Sequence, residues 1–208
     1  MTNPNKDKPI MYILAGPNGS GKSSVLTKKI PENIVALNAD KFAKEIAKER
    51  GIPDDKAQDA VDNSEALQLA GMRRLKNLMR QALKTGETFS AETVLNLGAY
   101  KDYIKDAKSN GFEVELLYIG LNSPMTNRRR VDIRVAKGGH SVKPENIINR
   151  YYGSLERLHF YIIKADRGNR GRTKAALTRK AAPAVGDGVL LLKNIYLEAF
   201  AEKIYEIY

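Results

Sequence analysis

Apolar and polar positions along this chain switch repeatedly between a strand-like and a helix-like spacing, and the switching predicts an α/β order. Ile10-Met11-Tyr12-Ile13-Leu14-Ala15 is a short apolar run suited to a buried strand. A helix is expected over Ser23–Lys29, and Asn33–Leu37 reads as a second buried strand that ends at Asn38-Ala39-Asp40. Lys41–Arg50 has helical period, Gly51-Ile52-Pro53-Asp54 breaks it, and one long helical pattern then runs to Thr85 with Leu75, Leu78, Met79, Ala82 and Leu83 on one face. Gly86 ends that helix. Thr88-Phe89-Ser90-Ala91 is a short strand leading into Glu92-Thr93, Ala99–Ser109 a helix, and Phe112–Gly120 the clearest strand. Alternating strands and helices imply a mostly parallel sheet with helices on both sides, a three-layer α/β fold. Ligands of such sheets gather at the carboxyl ends of the strands. Lys22, Asp40 and Glu92 all lie at or just past such ends.

Beyond Pro124 the pattern turns helical and basic. Arg130, Arg134 and Lys137 share one helix face, Gly138-Gly139-His140 interrupts, and a second helix starts at Pro144. Its apolar stripe is Ile148, Tyr151, Leu155, Leu158 and Ile162, with Arg150, Ser154 and Arg157 on another stripe. Residues 168–184 have no usable apolar period and read as an exposed loop. Val189–Leu192 reads as a last strand and Asn194–Tyr208 as a closing helix.

Length and charge narrow the picture. The chain has 208 residues, enough for one domain with a proper core, so residues 1–208 are expected to form a single domain. It contains no cysteine, which removes disulfides, thiolate metal sites and a cysteine nucleophile. Its apolar runs are far short of a membrane span, and Met1–Pro9 is polar and leads straight into the first strand, so a cytoplasmic protein is expected. The net charge is +11, and Arg128–Lys180 holds fifteen Lys/Arg against four Asp/Glu, an excess equal to the whole. Charge so confined suggests a local anion site, or a patch for an acidic partner, as readily as a solvated surface. Like charges one helical turn apart repel, and a polyphosphate between them reverses the sign. The two basic helices, about 124–166, therefore read as a lid over phosphates, with a solvated helical hairpin as the alternative.

The chemistry concentrates in Gly16-Pro17-Asn18-Gly19-Ser20-Gly21-Lys22-Ser23, which fits the phosphate-loop pattern G-x-x-x-x-G-K-[ST] and is followed by Ser24. It stands between a strand and a helix, where its glycines let backbone N–H groups turn towards phosphate oxygens and the helix start adds partial positive charge. Lys22 is expected to reach the β- and γ-phosphates and the Ser23 hydroxyl to meet Mg²⁺. Asp40 can serve as a base at a strand end or as a helix N-cap, and Glu92 as a site carboxylate or a polar loop cap. His140 reads as a loop residue or a phosphate hydrogen-bond donor, because no second ligand has metal spacing near it, and His159, within an apolar helix, as a packed residue. Asp166 after Tyr161-Ile162-Ile163 is a poor imitation of a Walker-B aspartate, which argues against an ATPase that activates water through that carboxylate.

The succession AGPNGSGKSS, LNAD, FSAET, GLNSP, RVDIRVAKGGHSV and RYYGSL resembles the zeta toxin family over roughly Lys8 to Asp166. The resemblance implies a P-loop kinase fold using ATP and Mg²⁺, an acceptor such as UDP-N-acetylglucosamine, and a small antitoxin as partner. It implies that Gly16 to Ser24 hold the nucleotide, with Lys22 and Ser23 serving ATP and Mg²⁺. Asp40 then accepts the proton of the attacked sugar hydroxyl, while Glu92, and less strongly Thr93, hold the acceptor. Arg130 and Arg134, with Arg150 as a third, stabilise the transferring phosphoryl group. Gly153 stands where the family pattern often has a basic residue, Lys143 looks inserted, and the region after Asp166 lacks the family's usual apolar strand. Other readings are a nucleic-acid-associated P-loop ATPase, which would show a steep salt dependence of binding, and a kinase of another small hydroxylated substrate. Nucleic acid is the less expected partner.

Overall fold

A computed structural model describes residues 8–23, 30–95, 100–139, 141–166, 176–181 and 188–193. The expected helix over Ser23–Lys29, Ser24, His140 and the closing helix Asn194–Tyr208 lie wholly or mostly outside them. The strands are β1 (Ile10–Ala15), β2 (Val35–Leu37), β3 (Phe89–Thr93), β4 (Glu113–Leu121), β5 (Ala176–Ala181) and β6 (Gly188–Lys193). They form one sheet in the order β2-β3-β1-β4-β6-β5. The first four run parallel, with Leu14 of β1 level with Glu92 on one side and Leu117 on the other. β6 joins β4 antiparallel and β5 completes a hairpin with it.

The helices are α1 (Ala39–Glu49), α2 (Asp54–Asp62), α3 (Glu65–Thr85), α4 (Tyr100–Ser109), α5 (Pro124–Ala136) and α6 (Pro144–Asp166). The α/β architecture with a mostly parallel sheet is thus the one the apolar periods imply. Alternate residues of β1 divide between its faces, as period two requires. Met11, Ile13 and Ala15 join a core with Leu75, Met79 and Leu83 of α3, Phe89, Ile104 of α4, Tyr118, and Leu158 and Tyr161 of α6. Tyr12 and Leu14 meet Leu117, Ile119 and Ile30 on the opposite face. Burying side chains of this size contributes about 1.5–3 kcal/mol each.

Four expectations are corrected. The long pattern from 54 to 85 is two helices, because Ser64 accepts a hydrogen bond from the Leu67 amide at 3.3 Å and starts a new one as its N-cap. β2 is an edge strand with Val35 and Ala36 exposed, since only β3 flanks it. Residues 176–181, inside the segment read as a loop, form β5. Its Arg179 and Lys180 break the apolar period, and charged residues are common on an outermost strand because they discourage further pairing. On α6 the buried stripe is Ile147, Tyr151, Ser154, Leu158 and Tyr161, which keeps Tyr151 and Leu158 of the apolar pattern and adds Ile147, Ser154 and Tyr161. Ser154 faces inward because its hydroxyl pairs with the buried Tyr118 hydroxyl at 2.9 Å, and a buried hydroxyl without a partner is costly. Ile148 lies only half-buried.

Close helix packing sets the start of α1. A Cβ on Gly71 of α3 would overlap the Ala39 carbonyl oxygen, so the absence of that atom lets α3 press against the first turn that carries Asp40. Among the described residues no helix is long and apolar enough to cross a membrane.

Candidate active site

The phosphate loop leaves the carboxyl end of β1, the strand flanked by β3 and β4 in the parallel part of the sheet. Gly16, Gly19 and Gly21 have φ of 143°, 77° and 90°, a region that residues with a Cβ rarely adopt. At two of them close approach adds to the demand: a Cβ would overlap the Ile119 carbonyl oxygen at Gly16 and the Asn127 carbonyl oxygen at Gly19. The loop is therefore wedged between β4 and α5.

Lys22 is only 7 % exposed. Its Nζ donates to the carbonyl oxygens of Gly16 at 2.7 Å and Pro17 at 3.1 Å, and lies 3.9 Å from Glu92 Oε1. Burial pushes the Lys22 ammonium down to about 8; Glu92 and Asp40 oppose that shift, and Arg134 and Arg150 add to it. Beside it Ser20 is buried, and its Oγ has no hydrogen-bond partner among the described residues. A buried ammonium, an orphaned hydroxyl and a glycine-lined turn at a helix start fit a polyphosphate. Ser23, at that helix start, is the residue that would meet a divalent cation accompanying it. Among the described residues no group of three His, Asp or Glu side chains could hold a metal by itself.

The acidic side is built around Asn38. Its Oδ1 accepts from the amides of Asp40 at 2.9 Å and Lys41 at 3.1 Å, and its Nδ2 donates to Glu92 Oε2 at 2.8 Å. Asn38 is thus the N-cap of α1, so the capping duty that Asp40 could have served falls on Asn38. Asp40 stands exposed in the first turn, where the helix dipole favours a carboxylate. Glu92 presents one oxygen to Asn38 and the other to Lys22, so β1, β2 and β3 are tied together at their carboxyl ends.

Thr93 turns its Oγ1 to its own backbone, accepting the Leu95 amide at 3.0 Å. Leu95 is fully buried at φ 58°, a left-handed conformation unusual for leucine, and the Tyr100 hydroxyl donates to the Glu92 carbonyl at 3.3 Å. In this arrangement Thr93 shapes the turn that follows Glu92.

The basic side comes from α5 and α6. Arg130 is half-buried and lies nearest the loop at Gly21, whereas Arg134 is exposed. Arg150 Nη1 donates to Asn18 Oδ1 at 3.1 Å, and the buried Asn127 donates Nδ2 to the Asn18 carbonyl at 2.6 Å. Asn38 and Asn127 are the site residues that sequence reasoning missed. For Asn38 a signal existed in its place at a strand end one residue before a helix; for Asn127, inside a basic helix, there was none. Asp166 is the last residue of α6, not the end of a strand, so it cannot imitate a Walker-B aspartate. His159 lies within the same helix.

Comparisons with known proteins bear on the family and the fold. The chain is 29% identical over 146 residues to an uncharacterized protein of Haemophilus influenzae, a match covering 70% of this chain and 94% of that one. In structure it is similar to a chain from the PezAT chromosomal toxin–antitoxin system of Streptococcus pneumoniae, with TM-score 0.58 and 20% identity, covering 76% of this chain. It spans 64% of the length of that chain. It is also similar to a chain of the Pnkp1/Rnl/Hen1 RNA repair complex, with TM-score 0.55 and 17% identity, covering 86% of this chain and 54% of that one. At such identities these structures speak to the fold alone. The family model described as "Zeta toxin" matches residues 1–167. A match over that much of the chain shows the family: the chain belongs to the zeta toxin family of P-loop, kinase-like proteins.

Proposed function

We propose that this chain is an ATP-dependent kinase that transfers the γ-phosphoryl group to a sugar hydroxyl of a UDP-amino sugar such as UDP-N-acetylglucosamine. The observation that carries the reading is the contact of Lys22 and Asn38 with the two oxygens of Glu92, where Asn38 also caps the helix turn that carries the exposed Asp40. Phosphoryl transfer needs in-line positioning and charge compensation more than covalent chemistry. A buried lysine beside an accessible carboxylate meets both needs.

ATP, when bound, supplies the phosphoryl group, and Gly16 to Ser24 would hold it with Mg²⁺ at the Ser23 hydroxyl. Lys22 compensates charge on the β- and γ-phosphates. Asp40 takes the proton of the acceptor hydroxyl; it is exposed and free of capping duty, as a residue meeting an incoming substrate should be. Glu92, already an acceptor for an amide N–H, is suited to hold an N–H or hydroxyl of the sugar. Thr93 contributes by holding the turn behind Glu92. Arg130, Arg134 and Arg150 face the transferring group from the basic helices, which act as the lid. A small antitoxin protein belongs to the same proposal.

The test is incubation of the full chain with Mg-ATP and a panel of UDP-sugars, with products read by mass. A phosphorylated UDP-amino sugar is the expected product. ATP consumption with every UDP-sugar recovered unchanged would remove this acceptor class.

A further inference from the structure

Asn18, the third residue of the phosphate loop, is the point at which both basic helices reach that loop. Asn127 of α5 holds its carbonyl oxygen at 2.6 Å and Arg150 of α6 holds its side-chain oxygen at 3.1 Å, across 109 and 132 residues of sequence. The α5 contact is tight. Asn127 is fully buried, and its own carbonyl oxygen occupies the space that a Cβ on Gly19 would need. Val131, one turn further, lies 3.1 Å from the same point. Asn127 also keeps its Oδ1 buried with no partner among the described residues. A buried amide left half-satisfied lowers stability, and such groups are uncommon enough to ask for a reason.

Arginine has a long side chain with several rotatable bonds, and unrestrained it samples many positions. One acceptor at a fixed place removes much of that freedom. Because Asn127 fixes the Asn18 backbone, Asn18 Oδ1 is such an acceptor. The bond is also of a useful strength. A guanidinium bound to a neutral amide oxygen gains a stronger, charge-assisted partner when a phosphate oxygen comes within reach, so it can be handed over.

We propose that Asn18 is a positioning residue: held by Asn127, it keeps the Arg150 guanidinium beside the phosphate loop, poised for the transferring phosphoryl group. The assignment rests on the kinase reading above. It concerns only the nucleotide side of that reading, so its test needs no acceptor.

The test is a double-mutant cycle on the full chain with Asn18→Ala, Arg150→Ala and both together. Two affinities are measured in Mg²⁺ buffer: for ADP, and for ADP with aluminium fluoride, which imitates a phosphoryl group in transfer. Each single variant is expected to lose about tenfold or more affinity for the mimic beyond any loss it shows for ADP. The double variant is expected to bind the mimic no worse than Arg150→Ala alone, because Asn18 acts through that arginine. Arg130→Ala, which approaches the loop at Gly21 instead, should combine multiplicatively with Asn18→Ala. A double variant that loses the product of the two single effects overturns the proposal. So does an Asn18→Ala protein that loses ADP and mimic affinity equally, or a wild type that binds the mimic no tighter than ADP. Failure of the UDP-sugar reading would leave all of these affinities unchanged and would appear only in the product analysis.

Discussion

Glu92 lies at the end of β3, Asn38 just past β2, and Lys22 at the close of the loop that leaves β1, three strands that are neighbours in one sheet, whereas Arg130, Arg134 and Arg150 come from two helices that follow β4. In the first group every side chain touches another member: Lys22 meets Glu92, and Glu92 meets Asn38. In the second, Arg134 is exposed, Arg130 half-buried, and Arg150 bonds to the side chain of Asn18 in the loop. The difference separates what a folded sheet can hold rigidly from what a helical pair must deliver. Strand register places a side chain through backbone pairing, so its position comes with the fold. An arginine at the end of a flexible stem needs a docking point, and Asn18 is one.

The largest test of the rigid half is Lys22→Met. Because the ammonium is buried among loop carbonyls and faces Glu92, its loss should lower phosphoryl transfer by about 10²–10³-fold. A fall of only a few-fold, in a protein whose thermal midpoint is unchanged, would place the phosphate-compensating charge on the helices instead.

The next test uses the burial of Lys22, which pushes its ammonium down to about 8. Phosphate favours the charged form and so raises that value on binding. Below about 8 the free protein already carries the proton, while above it binding must take one up. Affinity for a non-hydrolysable ATP analogue should therefore fall as pH rises through about 8, by up to about tenfold per unit. Glu92→Gln removes a carboxylate that favours the charged lysine, so the fall should begin at lower pH. Calorimetric titration from about pH 7 to about pH 9.5 checks both. Identical profiles for the two proteins would mean that Glu92 does not set the charge of Lys22.

A smaller effect is expected for Asn38→Ala, which removes the α1 cap and costs about 1 kcal/mol of stability. Because Asn38 also binds Glu92, its loss should weaken acceptor binding more than ATP binding. Thermal melts and the separate KM values for the two substrates measure this. Equal loss for both substrates would show that Asn38 supports the whole edge rather than the acceptor side.

These residues differ in how far the chain itself announced them. The phosphate loop was legible because its demands are local: glycines where φ is positive, a lysine and a serine at the helix start. Glu92 and Asp40 were legible as carboxylates following short apolar runs. The two readings of Asp40 could not be separated, because Asp, Asn and Ser serve equally as caps and Asn38 stands only two residues earlier. Asn127 was hidden for another reason. Its partner is 109 residues away, and an asparagine in a basic helix looks like a solvated one until the loop is seen against it. On α6, Tyr151 and Leu158 were read on the buried stripe, but Ser154 was placed on the polar one because period alone ranks a serine as polar. Only the Tyr118 hydroxyl opposite explains why Ser154 is buried. β5 escaped detection because an outermost strand does not need the apolar alternation of a core strand.

Asp40→Asn offers the most direct measurement, since it changes the proposed proton acceptor while leaving the cap on Asn38, the Lys22–Glu92 contact and the loop in place. Transfer from ATP to UDP-N-acetylglucosamine should fall by about 10²–10⁴-fold, with ATP-analogue affinity and thermal midpoint close to wild type. Transfer at the wild-type rate by the Asp40→Asn protein would contradict the account, and would move the acceptor hydroxyl to another carboxylate of this edge.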